Sequence, residues 1–148
     1  KESPRRIEKL WNEAFNEPIQ RVFNRMLKPS KTKISPIFES IQSISITSLG
    51  HPRWRSKPRH LIIISDLLQY ADDFNHYLNP GDFKLFRLSD YYQRVRMNLT
   101  GVDVTVFYLP RKTELGIQGK EHLNFWKEYF IDQGARSSKA GLFIHVEG

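Results

Sequence analysis

RHLIIISDLLQY, residues 59–70, holds the run that decides the fold. Leu61-Ile62-Ile63-Ile64-Ser65 is continuously apolar and ends at Asp66. A short apolar run between turn signals reads as a strand buried on both faces, the pattern of a central strand in a parallel sheet. HPRWRSKPRH at 51–60 precedes it, and its two prolines mark an irregular basic loop. VDVTVFYL at 102–109 is rich in β-branched and aromatic residues and reads as a second strand. GLFIHVE at 141–147 reads as a third.

Between and before the strands the period changes to that of helices. Residues 4–28 carry Ile7, Leu10, Trp11, Ala14, Phe15, Ile19, Val22, Phe23, Met26 and Leu27 at spacings of three and four. Ser3 and Pro4 suit its start, Pro18 predicts a kink near Asn16, and its aromatics are expected in the core. PSKTK at 29–33 reads as a loop. A second helix is expected from Ser35-Pro36 to Gly50, with Ile37, Phe38, Ile41, Ile44 and Ser48 inward. A third spans about 83–99, with Leu88, Tyr91, Tyr92, Val95 and Leu99 inward, and Gly101 stops it. A fourth is marked by Leu123, Trp126, Phe130 and Ile131 and closed by Gly134. Strands alternating with helices imply parallel pairing, hence an α/β sandwich of three layers, read as a single domain over 1–148. Three strands are few for four helices, so further strands are expected before Lys1.

The 148 residues contain no Cys, which excludes disulfides, zinc–thiolate sites and cysteine nucleophiles. No apolar run reaches membrane-spanning length, and no signal-peptide pattern opens the sequence. No phosphate-binding loop, dinucleotide fingerprint or serine elbow occurs, and the five His form no zinc-type pair. The net charge of +7 invites polyanions. Arg53, Trp54, Arg55, Lys57 and Arg59, flanked by His51 and His60, offer a basic loop with an aromatic able to stack on a base. That loop enters the strand at its amino end, away from the usual ligand face.

In open parallel sheets ligands bind beyond the carboxyl ends of the strands. Asp66 stands at such an end, and Ser35 opens a helix expected beside it. A carboxylate and a hydroxyl are both hard oxygen donors, suited to part of a Mg²⁺ or Mn²⁺ shell. Each also has a plainer role, as a cap. Asp72 and Asp73 follow closely, and with Asp66 they are the carboxylates a metal-dependent hydrolase would gather; a polar loop explains them equally.

KISPIFESIQSI at 33–44, RHLIIISDLLQY at 59–70 and GVDVTVFYL at 101–109 resemble the later part of a von Willebrand factor A domain, over roughly residues 33–147 and in the manner of a bacterial branch. The resemblance implies a binding module with a metal-ion-dependent adhesion site. In that family an Asp-x-Ser-x-Ser motif, a Thr before a helix and a later strand-end Asp hold the ion. Ser35 stands where the family has its Thr, and Asp66 at the last Asp. The Asp-x-Ser-x-Ser motif is absent from the sequence, so it either precedes Lys1 or the site is degenerate. The expected function is protein binding rather than catalysis. Leu67, Leu68, Gln69 and Tyr70 flank the contact face, and an acidic group of the partner completes the ion's shell if one is held. Nucleic-acid binding through the 51–60 loop and the basic first helix is the alternative.

Overall fold

Three parallel strands carry the architecture in the order β1-β2-β3: β1 (Arg59–Ser65), β2 (Val102–Tyr108) and β3 (Ser137–Leu142). The computed structural model describes residues 3–18, 20–21, 34–54, 56–79 and 81–142. The chain divides into two compact units, Lys1–Lys33 and Ile34–Gly148, and the sheet belongs to the second.

In the first unit α1 (Pro4–Trp11) starts as expected: Ser3 accepts from the Arg6 N–H, and Pro4 opens the helix. A π-helical turn, Asn12–Asn16, follows just before Pro18. A proline removes a donor and crowds the preceding turn, and one wide turn relieves that. Ile7, Leu10 and Trp11 share the predicted stripe but are exposed, which corrects the placing of Trp11 in a core. Phe23 and the helical positions read at Ile19, Val22, Met26 and Leu27 lie outside the described residues, as does the 29–33 loop.

In the second unit the elements are α2 (Ile37–Ile44), β1, α3 (Phe83–Arg87), α4 (Asp90–Val95), β2, α5 (Lys120–Asp132) and β3. Leu61 pairs with Val104 and Ile63 with Val106. These residues, with Val102 and Tyr108, form one buried face of the sheet. Phe38 of α2 sits at the centre of the helices packed with that face, 4.4 Å from Trp126, 4.8 Å from Tyr129 and 5.1 Å from Phe86 between ring centroids. Such pairs add roughly 0.5–1.5 kcal/mol each beyond area burial.

β1 is not the central strand the sequence predicts. Among the described residues it pairs with β2 alone, and Ile62 on its other face is 61% exposed. An apolar run reports what a strand can bury, not how many neighbours it has. Three of the expected helices also shift their stripes. After Ile44 the backbone widens into a π-turn, Ser45–Leu49, so Ser45 and Leu49 turn inward while Ile44 and Ser48 are exposed. Ser45 and Thr47 donate to the carbonyls of Gln42 and Ser43, the local bonding that bends helices. Gly50 closes the turn where a Cβ would stand 2.9 Å from the Ser45 carbonyl oxygen. The predicted 83–99 helix is two helices. Ser89 breaks it by accepting from the Tyr92 N–H and capping α4. Leu88, expected inside, falls in the break and is 83% exposed, while Phe83 and Phe86 are buried instead. Ile131 of α5 is likewise exposed, and His122, Phe125 and Tyr129 take the inner positions. The third strand begins at Ser137, four residues before its expected start.

Candidate functional site

The carboxyl ends of β1 and β2 meet in a closely bonded loop platform. Leaving β1, Ser65 Oγ accepts from the Leu67 N–H at 3.0 Å, and Asp66 Oδ1 accepts from the Leu68 N–H at 3.1 Å. Leu67 has φ +55, a left-handed backbone that a branched residue adopts only under constraint. The constraint is visible at its carbonyl. His122 Nε2 lies 3.1 Å from that oxygen and the Trp126 indole N–H donates to it at 3.0 Å, all fully or nearly fully buried. In the tautomer with its proton on Nε2, His122 donates to this carbonyl, beside the Trp126 N–H that lies 3.2 Å from the same nitrogen. The His122 Nδ1 then accepts from the Tyr108 hydroxyl at 2.7 Å. Burial pushes the Tyr108 phenol up to about 12 and His122 down to about 4.

Two glutamines complete the platform. Gln69 accepts at Oε1 from the N–H groups of Ile37 and Phe38, at 2.5 and 3.2 Å, so it caps α2 from the strand-end loop. Its Nε2 donates to the Tyr91 hydroxyl at 2.8 Å, and Tyr91 donates to Glu39 at 2.7 Å. Gln118 donates to the carbonyls of Asp66 and Leu109 and accepts from the Arg111 N–H at 2.6 Å, stapling the two strand ends together. His76, in the turn beyond, accepts at Nδ1 from the Gln69 N–H at 3.0 Å. Its Nε2 is buried without a hydrogen-bond partner among the described residues, and burial, then His122, pushes it down to about 2.

The predicted residues now have places. Ser35 is not the side-chain cap of α2. Its backbone exchanges two hydrogen bonds with Tyr70, at 2.7 and 3.1 Å, and Gln69 does the capping. Asp66 is held by Leu68 on one oxygen and by an ion pair with Arg111 on the other. A divalent ion needs several free oxygens. Both Asp66 oxygens are engaged, and among the described residues no group of three His, Asp or Glu gathers to hold a metal. Among the described residues, Ser35 and Asp66 as placed do not make a Mg²⁺ or Mn²⁺ shell; a guanidinium supplies the positive charge beside Asp66. Asp72 is exposed, and Asp73 pairs outward with Arg94 at 2.6 Å.

Of the four residues expected to flank the contact face, Leu67, Leu68 and Gln69 are buried and cannot touch a partner. They hold the loop. Tyr70 is 45% exposed, and Tyr77, which the sequence reading passed over, is 39% exposed. Their rings meet edge to face at 5.7 Å. Burial raises the Tyr77 phenol, Glu114 and Asp66 add to the rise, and Arg111 opposes it. Two tyrosines and an Asp–Arg pair therefore share one surface over the strand ends. No helix among the described residues is long and apolar enough to cross a membrane.

At the opposite end of β1 the basic loop forms a short 3-10 turn, Pro52–Trp54. Trp54 is 45% exposed, with the Arg53 guanidinium 5.8 Å from its ring centre, and Lys57 is exposed. Arg55 lies outside the described residues. Arg59 points the other way: it donates to the carbonyls of Leu49 and Thr100 at 2.9 and 2.6 Å, a tie rather than a free cation. No family model, curated protein or solved structure matches this chain.

Proposed function

We propose that this α/β unit is a protein-binding module of von Willebrand factor A type, whose contact face lies over the carboxyl ends of β1 and β2. One observation carries the reading: Tyr70 and Tyr77 stand exposed, edge to face, beside the Asp66–Arg111 pair on a loop held from within by Gln69, His122 and Trp126. Tyrosine and arginine are the side chains that dominate binding hot spots, and a rigid platform lowers the entropy lost on association. The second face of a three-layer sandwich belongs to the same proposal, with Ile62 and Ile64 of β1 under it. The contact proposed here is carried by the two tyrosines and by Arg111, which pairs with Asp66. The module binds; it does not turn over substrate.

The test is affinity enrichment from the source cells, quantified for wild type and two double variants. A partner depleted at least tenfold by Tyr70→Ala with Tyr77→Ala, and retained by Arg53→Ala with Trp54→Ala, supports the proposal. The reverse pattern supports nucleic-acid binding, which Trp54 with Arg53 and Lys57 favours at the amino end. That reading also requires binding to fall steeply with salt.

A further inference from the structure

Residues 69–76 form a hairpin anchored by one buried ring. Tyr70 bridges Asn75, the Ala71 N–H donates to the Phe74 carbonyl at 3.1 Å, and the His76 N–H donates to the Gln69 carbonyl at 3.0 Å. From this hairpin the His76 side chain enters the core and is fully buried. Its ring lies 4.9 Å from Phe125, 5.0 Å from Phe74 and 5.6 Å from Trp126 between centroids. Tyr70 stands just inside the first residue of the hairpin and Tyr77 just beyond the last, so the anchor sets the pairing of both.

The bonding of this ring suits one charge state. Nδ1 accepts from the Gln69 N–H, which also reaches the Leu67 carbonyl at 3.1 Å, so the neutral ring carries its proton on Nε2. A second proton would go on Nδ1 and face that N–H, donor against donor. Nε2 has no partner to help hold the charge. Among the described residues no carboxylate is bonded to the ring. The nearest titratable group is His122 of α5, 4.5 Å away between ring centroids, and its charge would repel. Tyr108 of β2 is bonded to His122, and Glu39, the one charged residue of α2, to Tyr91 and Gln69. Asp66 pairs with Arg111, Asp73 with Arg94, and Asp132 with Arg87. Asp72 and the charged side chains of α5 other than Asp132 face solvent.

We infer that His76 is an acid-sensitive latch: a proton taken up at Nδ1 withdraws its ring from the core, opens the 69–76 hairpin and parts Tyr70 from Tyr77. The closed hairpin refuses the proton, and the open one accepts it near the ordinary histidine value of 6.5. Opening therefore grows as pH falls below 6.5, by about tenfold per pH unit for one proton. His122, held by Tyr108 and the Leu67 carbonyl, stays in the core during this opening. Regulation of the tyrosine face by acid rests on the reading proposed above; the opening itself does not.

The test is amide hydrogen exchange on the full chain at pH 7.5 and 5.5, corrected for the intrinsic pH dependence of exchange and read residue by residue. The opening constant at the Gln69 and His76 amides should rise about tenfold between the two, the one-proton value. The Val104 and Val106 amides of β2 should stay the more protected at both. His76→Leu should abolish the rise at Gln69, and His76→Gln takes its place if the leucine variant does not fold. His122→Gln should keep the tenfold rise. A flat response in the wild type overturns the inference, as does a rise that persists without His76. So does a rise of about a hundredfold shared equally by the hairpin and β2, because both histidines then titrate in one opening of the whole core. These amides report whether or not a partner exists. If no adduct forms at position 77 while the amides respond as expected, the tyrosine face fails and the latch stands.

Discussion

The two ends of β1 are opposites in how they are held. At the carboxyl end, residues 65–69 and 76 are bonded to β2, α2, α4 and α5 through Gln69, Gln118, His122 and Trp126, and Tyr70 and Tyr77 reach solvent beside Arg111. At the amino end, His51, Arg53, Trp54 and Lys57 are all exposed, and Arg59 supplies the long-range ties. One end uses its polar groups internally to fix a few side chains, and the other leaves its charge to the solvent. A surface made of fixed side chains suits a shaped protein partner; a loose basic one suits an extended or polyanionic ligand.

The largest effect should separate two tryptophans. Trp126→Ala removes a buried ring and one of the two donors at the Leu67 carbonyl, and should cost about 3–5 kcal/mol. Trp54→Ala should stay within about 0.5 kcal/mol. Chemical denaturation of both variants checks this, and equal losses would erase the contrast between the ends.

Acid should act on the carboxyl end. His122 and His76 have folded pKa values near 4 and 2, below the unfolded value of 6.5. The unfolded chain therefore binds protons that the folded chain refuses. Stability is full above pH 6.5 and falls as pH drops from there toward 4, by about 1.4 kcal/mol per pH unit for each histidine. Denaturation midpoints between pH 7 and 4 should show this slope, and His122→Gln should reduce it by about half. A flat profile over that range would mean the histidines are not buried neutral.

Smaller again, Gln69→Ala strips the cap from α2 and the donor from Tyr91. Groups left without partners in this way cost about 1–3 kcal/mol, which thermal melts can resolve. Arg59→Ala at the amino end loses two bonds to carbonyls on a half-buried side chain, and should cost about 1 kcal/mol. A loss larger than that of Gln69→Ala would show the amino end to be the more tightly held.

Much of this was legible in the residues. The β-branched and aromatic residues of VDVTVFYL read as a strand, and the structure has one at Val102–Tyr108. The parallel order of the strands follows from their alternation with helices. The start of β3 is not legible because Ser137-Ser138-Lys139 has no strand pattern of its own; pairing with β2 imposes it, and Arg136 and Ser137 anchor it by bonding Asp103. The break at Ser89 had a local signal, a serine followed by an acidic residue at a helix start, which the longer apolar period masked. The site was less legible. Asp66 is where the strand end predicts, but Arg111 reaches it from the loop after β2, and no spacing in the sequence announces that meeting. Gln69 and Gln118 have no motif at all; their roles exist only once two loops are side by side.

The most direct measurement is site-specific photo-crosslinking in the source cells, with benzoylphenylalanine replacing Tyr77 in one protein and Trp54 in another. A discrete protein adduct from position 77, absent from position 54, is what this account predicts. Adducts from position 54 alone, or adducts that a nuclease removes, would contradict it.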